Sequence, residues 1–445
     1  MDSRRLIFGI VGLMALTAVA HSAQEKISDD HYVSRQEHEK LKGDYEKLKQ
    51  EMEQLKGQMQ ALLKREAPAP AQPPAPPSAA PSPAPPVATQ PAIEELKKEL
   101  RTVKAQAEAT KPGSTKFLLT GYGAAGYADR GRGKSSFNAV FAPIFLWKLG
   151  DRVFFEGEPL FELEEDETKV DLEYAHITYL LNNYVTLGAG KFLNPSNYFI
   201  ERLHPAWINK LPDVPLPFVG ETAIQAESQL GFQLRGGVPI GPTRLGYAFY
   251  VSNGPKLRDS GEDAGTLDFD NFEDINNDKA VGGRIGFVPI PYLELGYGFE
   301  VAGVHGNGLR SVDAVTHSVD ANYVRSVGWL RGNVDFRAQY AWLEIDNPGV
   351  NQLNFKNQRD GGYAQIAYRP SLAAVPILKD LEGVFRYDWL NLPANAPLNA
   401  DEQRWTVGLN YWFTPSTALK AAYEFDDRKG AIDDNAFLMQ FATGF

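Results

Sequence analysis

Cysteine is absent from the chain, which removes disulfides, thiolate metal sites, cysteine nucleophiles and a lipidated N-terminal cysteine in one step. Past the first twenty residues there is also no run of about 18 apolar residues, the minimum for a membrane-crossing helix. No G-x-S-x-G elbow occurs. Of the seven histidines, His176 and His317 stand alone, and His204 and His305 sit in stretches without paired ligands. Nucleophilic catalysis and metal binding have no constellation to rest on, so the sequence reads as a non-enzyme without a cofactor. The acidic stretch DFDNFEDINND at 268–278 breaks the EF-hand pattern at Phe272 and reads as a solvated extracellular loop. A basic excess is missing too. Residues 113–445 hold 29 Lys+Arg against 41 Asp+Glu, and residues 1–112 hold 16 against 15, the opposite of a nucleic-acid footprint.

What the chain does contain falls into segments. Arg4 and Arg5 precede an apolar stretch from Leu6 to Val19, and Ala18-Val19-Ala20 offers a small–x–small cleavage pattern. Residues 1–20 therefore read as a signal peptide, with cleavage after Ala20 or, alternatively, Ala23. Residues 21–65 read as a coiled coil: Leu41, Leu48, Leu55 and Leu62 recur every seven residues, with Tyr45, Met52 and Met59 at the other apolar position. A Pro/Ala tract over 66–92 is a semi-rigid polyproline spacer. A short helix over 93–112 follows, with Ile93, Leu96, Leu100 and Val103 at heptad spacing.

From Lys116 the apolar period falls to two. Trp405, Val407, Leu409, Tyr411 and Phe413 alternate with Arg404, Thr406, Gly408, Asn410 and Trp412. Sixteen such segments are expected over 113–445, beginning near 117, 137, 152, 169, 184, 224, 243, 280, 292, 315, 330, 362, 381, 404, 417 and 436. Links after even-numbered strands are mostly short and those after odd-numbered strands mostly long, the pattern of a transmembrane barrel. The expected fold is thus an all-β transmembrane barrel of about 16 antiparallel strands around a water-filled lumen, preceded by a helical coiled coil and a Pro-rich linker. Trp329, Trp342, Trp389, Trp405 and Trp412 are placed near strand ends as interfacial girdles. Phe437, Met439, Phe441, Thr443 and Phe445 share one face of the last strand, with Phe445 expected to serve as the membrane-assembly signal.

The segment between the fifth and sixth strands, 194–222, is too apolar for an exposed loop and is expected to fold into the lumen. Its polar residues Glu201, Arg202, His204, Lys210, Asp213 and Glu221 are the candidates for a constriction. Strand parity assigns Glu156, Glu158, Glu162, Glu164, Asp171 and Glu173, with Arg152 among them, to an acidic wall. Parity assigns Arg331, Arg337, Arg369, Arg386 and Arg404, with Lys420, to a basic wall. Opposed arcs of charge would set a transverse field that filters solutes by charge and dipole.

Gly190-Lys191-Phe192 running into Asn194-Pro195, the stretch Glu201-Arg202-Leu203-His204-Pro205, and the terminal Phe445 resemble the phosphate-selective porin O/P family and related porins with an N-terminal periplasmic coiled coil. The resemblance covers roughly 115–445. It implies a bacterial outer-membrane homotrimer with one diffusion pore per subunit, assembled by the outer-membrane assembly machinery among outer-membrane lipids. The family's selectivity rests on an arginine ladder and a lysine cluster inside the pore. The acidic third and fourth strands here point instead to a general or weakly cation-preferring pore. The coiled coil has two readings: it holds the trimer together, or it reaches peptidoglycan or a periplasmic partner and makes the protein an envelope tether.

Overall fold

The structure is a computed structural model and describes residues 117–445 apart from 132, 134, 165–166, 271, 273–277, 307–309, 351 and 431–433. The signal peptide, coiled coil, linker and short helix expected over 1–112 lie outside the described residues.

The alternating pattern folds as strands throughout. In chain order they are β1 (Phe117–Arg130), β2 (Ser136–Lys148), β3 (Val153–Glu164), β4 (Glu167–Leu180), β5 (Val185–Leu193), β6 (Ser228–Ile240) and β7 (Thr243–Asn253). A two-residue pair, β8 (Lys256–Leu257) and β9 (Leu267–Asp268), forms a separate small sheet within one loop. Then come β10 (Lys279–Ile290), β11 (Leu293–Val304), β12 (Val312–Val327), β13 (Gly332–Ile345) and β14 (Asn357–Arg369). Last are β15 (Leu381–Asn391), β16 (Glu402–Thr414), β17 (Thr417–Arg428) and β18 (Ala436–Gly444). Two short helices, α1 (Tyr198–Leu203) and α2 (Pro376–Lys379), lie between strands.

All strands but β8 and β9 join one closed antiparallel barrel of 16. Closure runs through β1 and β18, from Tyr122↔Gly444 to Arg130↔Ala436. At the end of that seam the Phe445 amide donates to the Gly121 carbonyl at 3.0 Å, and the Gly121 amide donates back to Phe445 at 3.2 Å. Closure leaves no strand edge, as a sheet in lipid requires, because hydrocarbon offers no partner to a free backbone N–H. The sequence places every strand start within five residues. The two largest offsets have opposite signs: at β6 the buried Ile224 of the loop extends the apolar pattern ahead of the strand, and at β14 the strand begins before the expected 362, over the polar run Asn357–Asp360 that carries no apolar alternation.

The apolar face of each strand points outward and stays exposed: Phe232, Val407, Leu409 and Phe425 are all half or more open. Polar and charged residues such as Gln339, Arg386, Asn410 and Lys420 are buried inside. This inverts the soluble arrangement, and a contiguous apolar exterior of this extent is a lipid contact surface. Aromatic residues band both rims. Tyr340, Trp342, Tyr387, Trp389 and Trp405 make a run of ring contacts at the long-loop end, with Tyr387 and Trp405 centroids 4.1 Å apart. Phe117, Trp147, Phe141 and Phe445 gather at the other.

Parity is interrupted once with consequence. Glu158 pairs with Tyr174 but Pro159 pairs with Leu172, so Glu173 is an extra residue in β4. Pro159 has no N–H to give the ladder, and a bulge is the ordinary remedy. The bulge keeps Leu172 and Val170 on the lipid side and leaves Glu173 free to turn inward.

Three placements differ from the sequence reading. Trp412 faces inward, not outward: it is buried and its indole N–H donates to Glu382 at 3.2 Å. Even-numbered residues of β16 point into the lumen, so a tryptophan there cannot join a girdle. Arg331 occupies the turn before β13 with a left-handed backbone (φ 53°) and donates to the Leu372 carbonyl at 3.3 Å. Arg152 likewise sits exposed in the turn before β3, where strand parity does not apply.

An arginine at Val407, outward on a mid-barrel strand, is predicted to cost about 2–4 kcal/mol in urea unfolding from lipid vesicles. Were the exterior in water, the same change would be nearly neutral.

Candidate functional site

The segment after β5 turns inward at Asn194. The Asn194 side chain accepts from the Ser196 amide (3.1 Å) and hydroxyl (2.9 Å) and donates to the Ala226 carbonyl at 3.1 Å, tying the two stems of the loop together. Asn197 then caps α1, accepting from the Ile200 amide at 3.4 Å. Four of the helix's six residues are buried. Phe199 stacks on Phe218 at 6.2 Å, and Tyr363 of β14 meets both rings edge-on.

Polar wall residues hold this segment from around the lumen. Gln339 of β13 accepts from the Phe199 amide at 2.9 Å and donates to Gln225 at 3.0 Å. Ser318 of β12 donates to the Ser196 carbonyl at 2.8 Å. Lys420 of β17 donates to the carbonyls of Ala206 and Asn209, the latter at 2.7 Å, and Asn410 of β16 donates to that of Lys210 at 2.8 Å. Asp213 receives Arg386 and Arg404, the latter at 2.8 Å. Burial alone would push the Asp213 carboxyl up, but the two guanidiniums overcome it and hold the group down at about 2.

Each predicted loop residue can now be placed. Glu201 pairs with Arg235 of β6 at 2.5 Å and with Arg202 at 3.3 Å. Arg202 reaches Glu294 of β11 at 3.2 Å and lies over the Tyr198 ring. Lys210 pairs with Glu382 of β15 at 2.9 Å and lies 5.0 Å from the Trp412 ring centroid. His204 is packed against Glu173, its Nε2 3.6 Å from the carboxylate, and burial pushes its pKa down to about 4. Glu221 is exposed at the loop's return and does not join the others.

On the walls, Glu156, Glu158, Glu162, Asp171 and Glu173 stand together on the inner side of β3 and β4. The side chain of Glu164 is outside the described residues. Arg337 pairs with Asp335 at 2.7 Å. Arg386 and Arg404 share Asp388 at 2.7 and 3.0 Å, and Arg404 also nears Glu424. Arg369 sits at the rim, held by Asp380 at 2.8 Å. The basic arc is therefore compensated by carboxylates interleaved with it, which a reading by parity of the cations alone passes over.

Sequence reasoning also missed the support for the loop. Leu257, Ala264 and Leu267 of the β7–β10 connection and Leu353 of the β13–β14 connection are buried in one apolar cluster with Phe199, Phe218 and Ile224. The acidity of 268–278 masked the two leucines flanking the β8–β9 turn. The amides Asn197, Gln225 and Gln339 left no charge signal to follow.

Replacing Asp213 with Asn should cost about 3–5 kcal/mol, since two buried guanidiniums lose a shared anion. The wild type gains from Asp213 above the ordinary pKa of 3.8 and loses that gain as pH falls through about 2. The difference between the two proteins in unfolding free energy from urea titrations should therefore shrink by about 2 kcal/mol between pH 5 and pH 2.

No protein-family model and no curated protein matches the chain. Solved structures do. OprB of Pseudomonas putida aligns with a TM-score of 0.52 and 9% identity, over 80% of this chain and 96% of its own. The outer membrane channel DcaP of Acinetobacter baumannii aligns at 0.49 and 15% identity, over 74% and 97%. An anion-selective porin from Comamonas acidovorans aligns at 0.49 and 13%, over 74% and 99%. At these identities the likeness is one of fold: this chain, like OprB, is built on a closed antiparallel β-barrel.

Proposed function

We propose that the protein is a bacterial outer-membrane porin, a passive pore for small polar solutes and ions narrowed by the loop between β5 and β6. The observation that carries this reading is the pairing of a lipid-facing apolar exterior with a polar lumen into which one long loop is bonded from several sides. Sixteen strands enclose more space than their own side chains fill, and a loop fixed across that space sets the narrowest cross-section. Glu201, Arg202, His204, Lys210 and Asp213 are then the loop's contribution to the eyelet, and the walls of β3–β4 and β13–β17 its counterpart.

In the same reading residues 1–20 direct export and Phe445 marks the barrel for the assembly machinery. The coiled coil of 21–65 holds three barrels together on the periplasmic side, with the Pro-rich 66–92 as spacer. The second reading, an envelope tether, is favoured by the heptads and by the reach of that spacer.

Purified protein in planar bilayers should show open steps arriving in threes. Shortening the loop by removing 205–214 should raise the single-channel conductance about two- to threefold, as a wider narrowest section requires. Folded barrels that never conduct would reject the pore and leave the tether. A truncation lacking 24–112 separates the roles of the N-terminal segment. Loss of trimers with an intact envelope supports trimerisation; intact trimers with a detached envelope support tethering.

A further inference from the structure

The shortest ion pair that each inward cation makes differs between the two sides of the barrel, although longer secondary contacts such as Arg404–Glu424 at 3.7 Å occur as well. From β10 round to β16 the primary pairs are hydrogen-bonded: Arg284–Asp320 at 2.7 Å, Arg337–Asp335 at 2.7 Å, Lys210–Glu382 at 2.9 Å, Arg386–Asp388 at 2.7 Å. Each of these carboxylates is spent on a neighbouring cation. Along β3 and β4 the pairs are longer: Glu156–His176 at 3.7 Å, Asp171–Lys191 at 3.8 Å and Glu173–His204 at 3.6 Å. Those distances are too long for hydrogen bonds, so although the Leu172 amide donates to Asp171 at 2.6 Å, the carboxylates there keep lone pairs for another donor. Arg235, which also faces His176, is already held by Glu201.

Two further atoms point the same way. Glu158 is 2% exposed, and its Oε1 has no hydrogen-bond partner among the described residues. His204 Nδ1 contacts the Ile200 carbonyl, which can only accept, so the proton of a neutral ring sits on Nδ1. That leaves the Nε2 lone pair, itself without a hydrogen-bond partner, facing the Glu173 carboxylate. Two acceptors opposed at 3.6 Å repel each other until a proton on one of them, or a cation or donor brought to both, relieves the repulsion. Among the described residues no three His, Asp or Glu side chains are arranged to chelate one metal ion. The fitting occupant carries its own N–H donors or its own water: an ammonium group or a hydrated alkali ion.

We propose that the pore selects cations through the acidic inner face of β3 and β4, along which Glu156 and Asp171 are spread, and that the facing Glu173 and His204 of the loop mark where a cation rests in passage. This rests on the pore reading and deepens it. The compensated side contributes little net field, while the more open carboxylates Glu156 and Asp171 give the β3–β4 side a negative charge, which attracts cations and repels anions.

The test is the reversal potential of the full-length protein in a planar bilayer under a KCl gradient at neutral pH. The wild type should favour K⁺ over Cl⁻ by about threefold or more, and the triple variant Glu156→Gln, Asp171→Asn, Glu173→Gln should fall close to parity. Heat-modifiable migration on a gel checks that the variant is folded. If it is not, the single change Asp171→Asn, at a half-exposed carboxylate, should lower the ratio in the same direction. Conducting barrels that favour Cl⁻, or a folded variant with an unchanged ratio, overturn the proposal while leaving the pore intact. Folded barrels with no conductance overturn both.

Discussion

Three long cations on neighbouring strands, Arg386, Arg404 and Lys420, reach into the barrel, and the inserted loop is built around them. They leave the wall from β15, β16 and β17 and end on Asp213 and on the carbonyls of Ala206, Asn209 and Val214. A loop lying inside a barrel must find partners for its backbone away from bulk water, and unpaired carbonyls there would cost about 1–3 kcal/mol each. Lysine and arginine meet that need from the wall because they bring several donors on a long stem. Small residues make room for the approach: Leu211 lies against Gly408, and Trp207 against Gly444.

Buried ion pairs by themselves are a weak source of stability, because desolvating each ion costs several kcal/mol and the attraction does little more than offset it. Their value here is positional. The energy that keeps the loop inside comes from burial of Phe199, Phe218, Ile200 and Leu203, at about 1.5–3 kcal/mol per large side chain. The β7–β10 and β13–β14 connections add Leu257, Leu267 and Leu353 to the same cluster. An apolar cluster is permissive about orientation, and the guanidinium–carboxylate contacts remove that freedom. The consequence on the opposite arc is electrostatic: with cations concentrated where the loop is fastened, β3 and β4 are left acidic.

Much of this was legible in the sequence. Alternation of apolar residues marked all sixteen barrel strands, because lipid demands one apolar face with a regularity that soluble sheets seldom keep. Short links against long ones gave the orientation of the strands. The bulge at Glu173 was invisible, since one residue inserted opposite Pro159 leaves no compositional trace, yet it decides that both Asp171 and Glu173 face the lumen. Trp412 misled for a different reason: a tryptophan near a strand end reads as a girdle residue, whereas this one faces inward and hydrogen-bonds Glu382. Arg386 and Arg404 were found by parity, but the pairing of Arg386 with Asp213 spans 173 residues of chain, beyond any local pattern; Asp388 lies two residues from Arg386 on the same face, so parity applied to the carboxylates as well as the cations reaches it.

Everything proposed for the pore depends on the loop between β5 and β6 lying fastened inside the barrel, and the absence of native cysteine allows a direct test of that placement. Cysteines placed at Leu211 and Gly408, whose side-chain and backbone positions are in contact, should form a disulfide on mild oxidation of the folded protein in membranes. Its formation should leave the heat-modifiable migration of the barrel unchanged. If the pair stays reduced in folded protein while both thiols react with a bulky, membrane-impermeant reagent, the loop lies outside the lumen and cannot form the constriction.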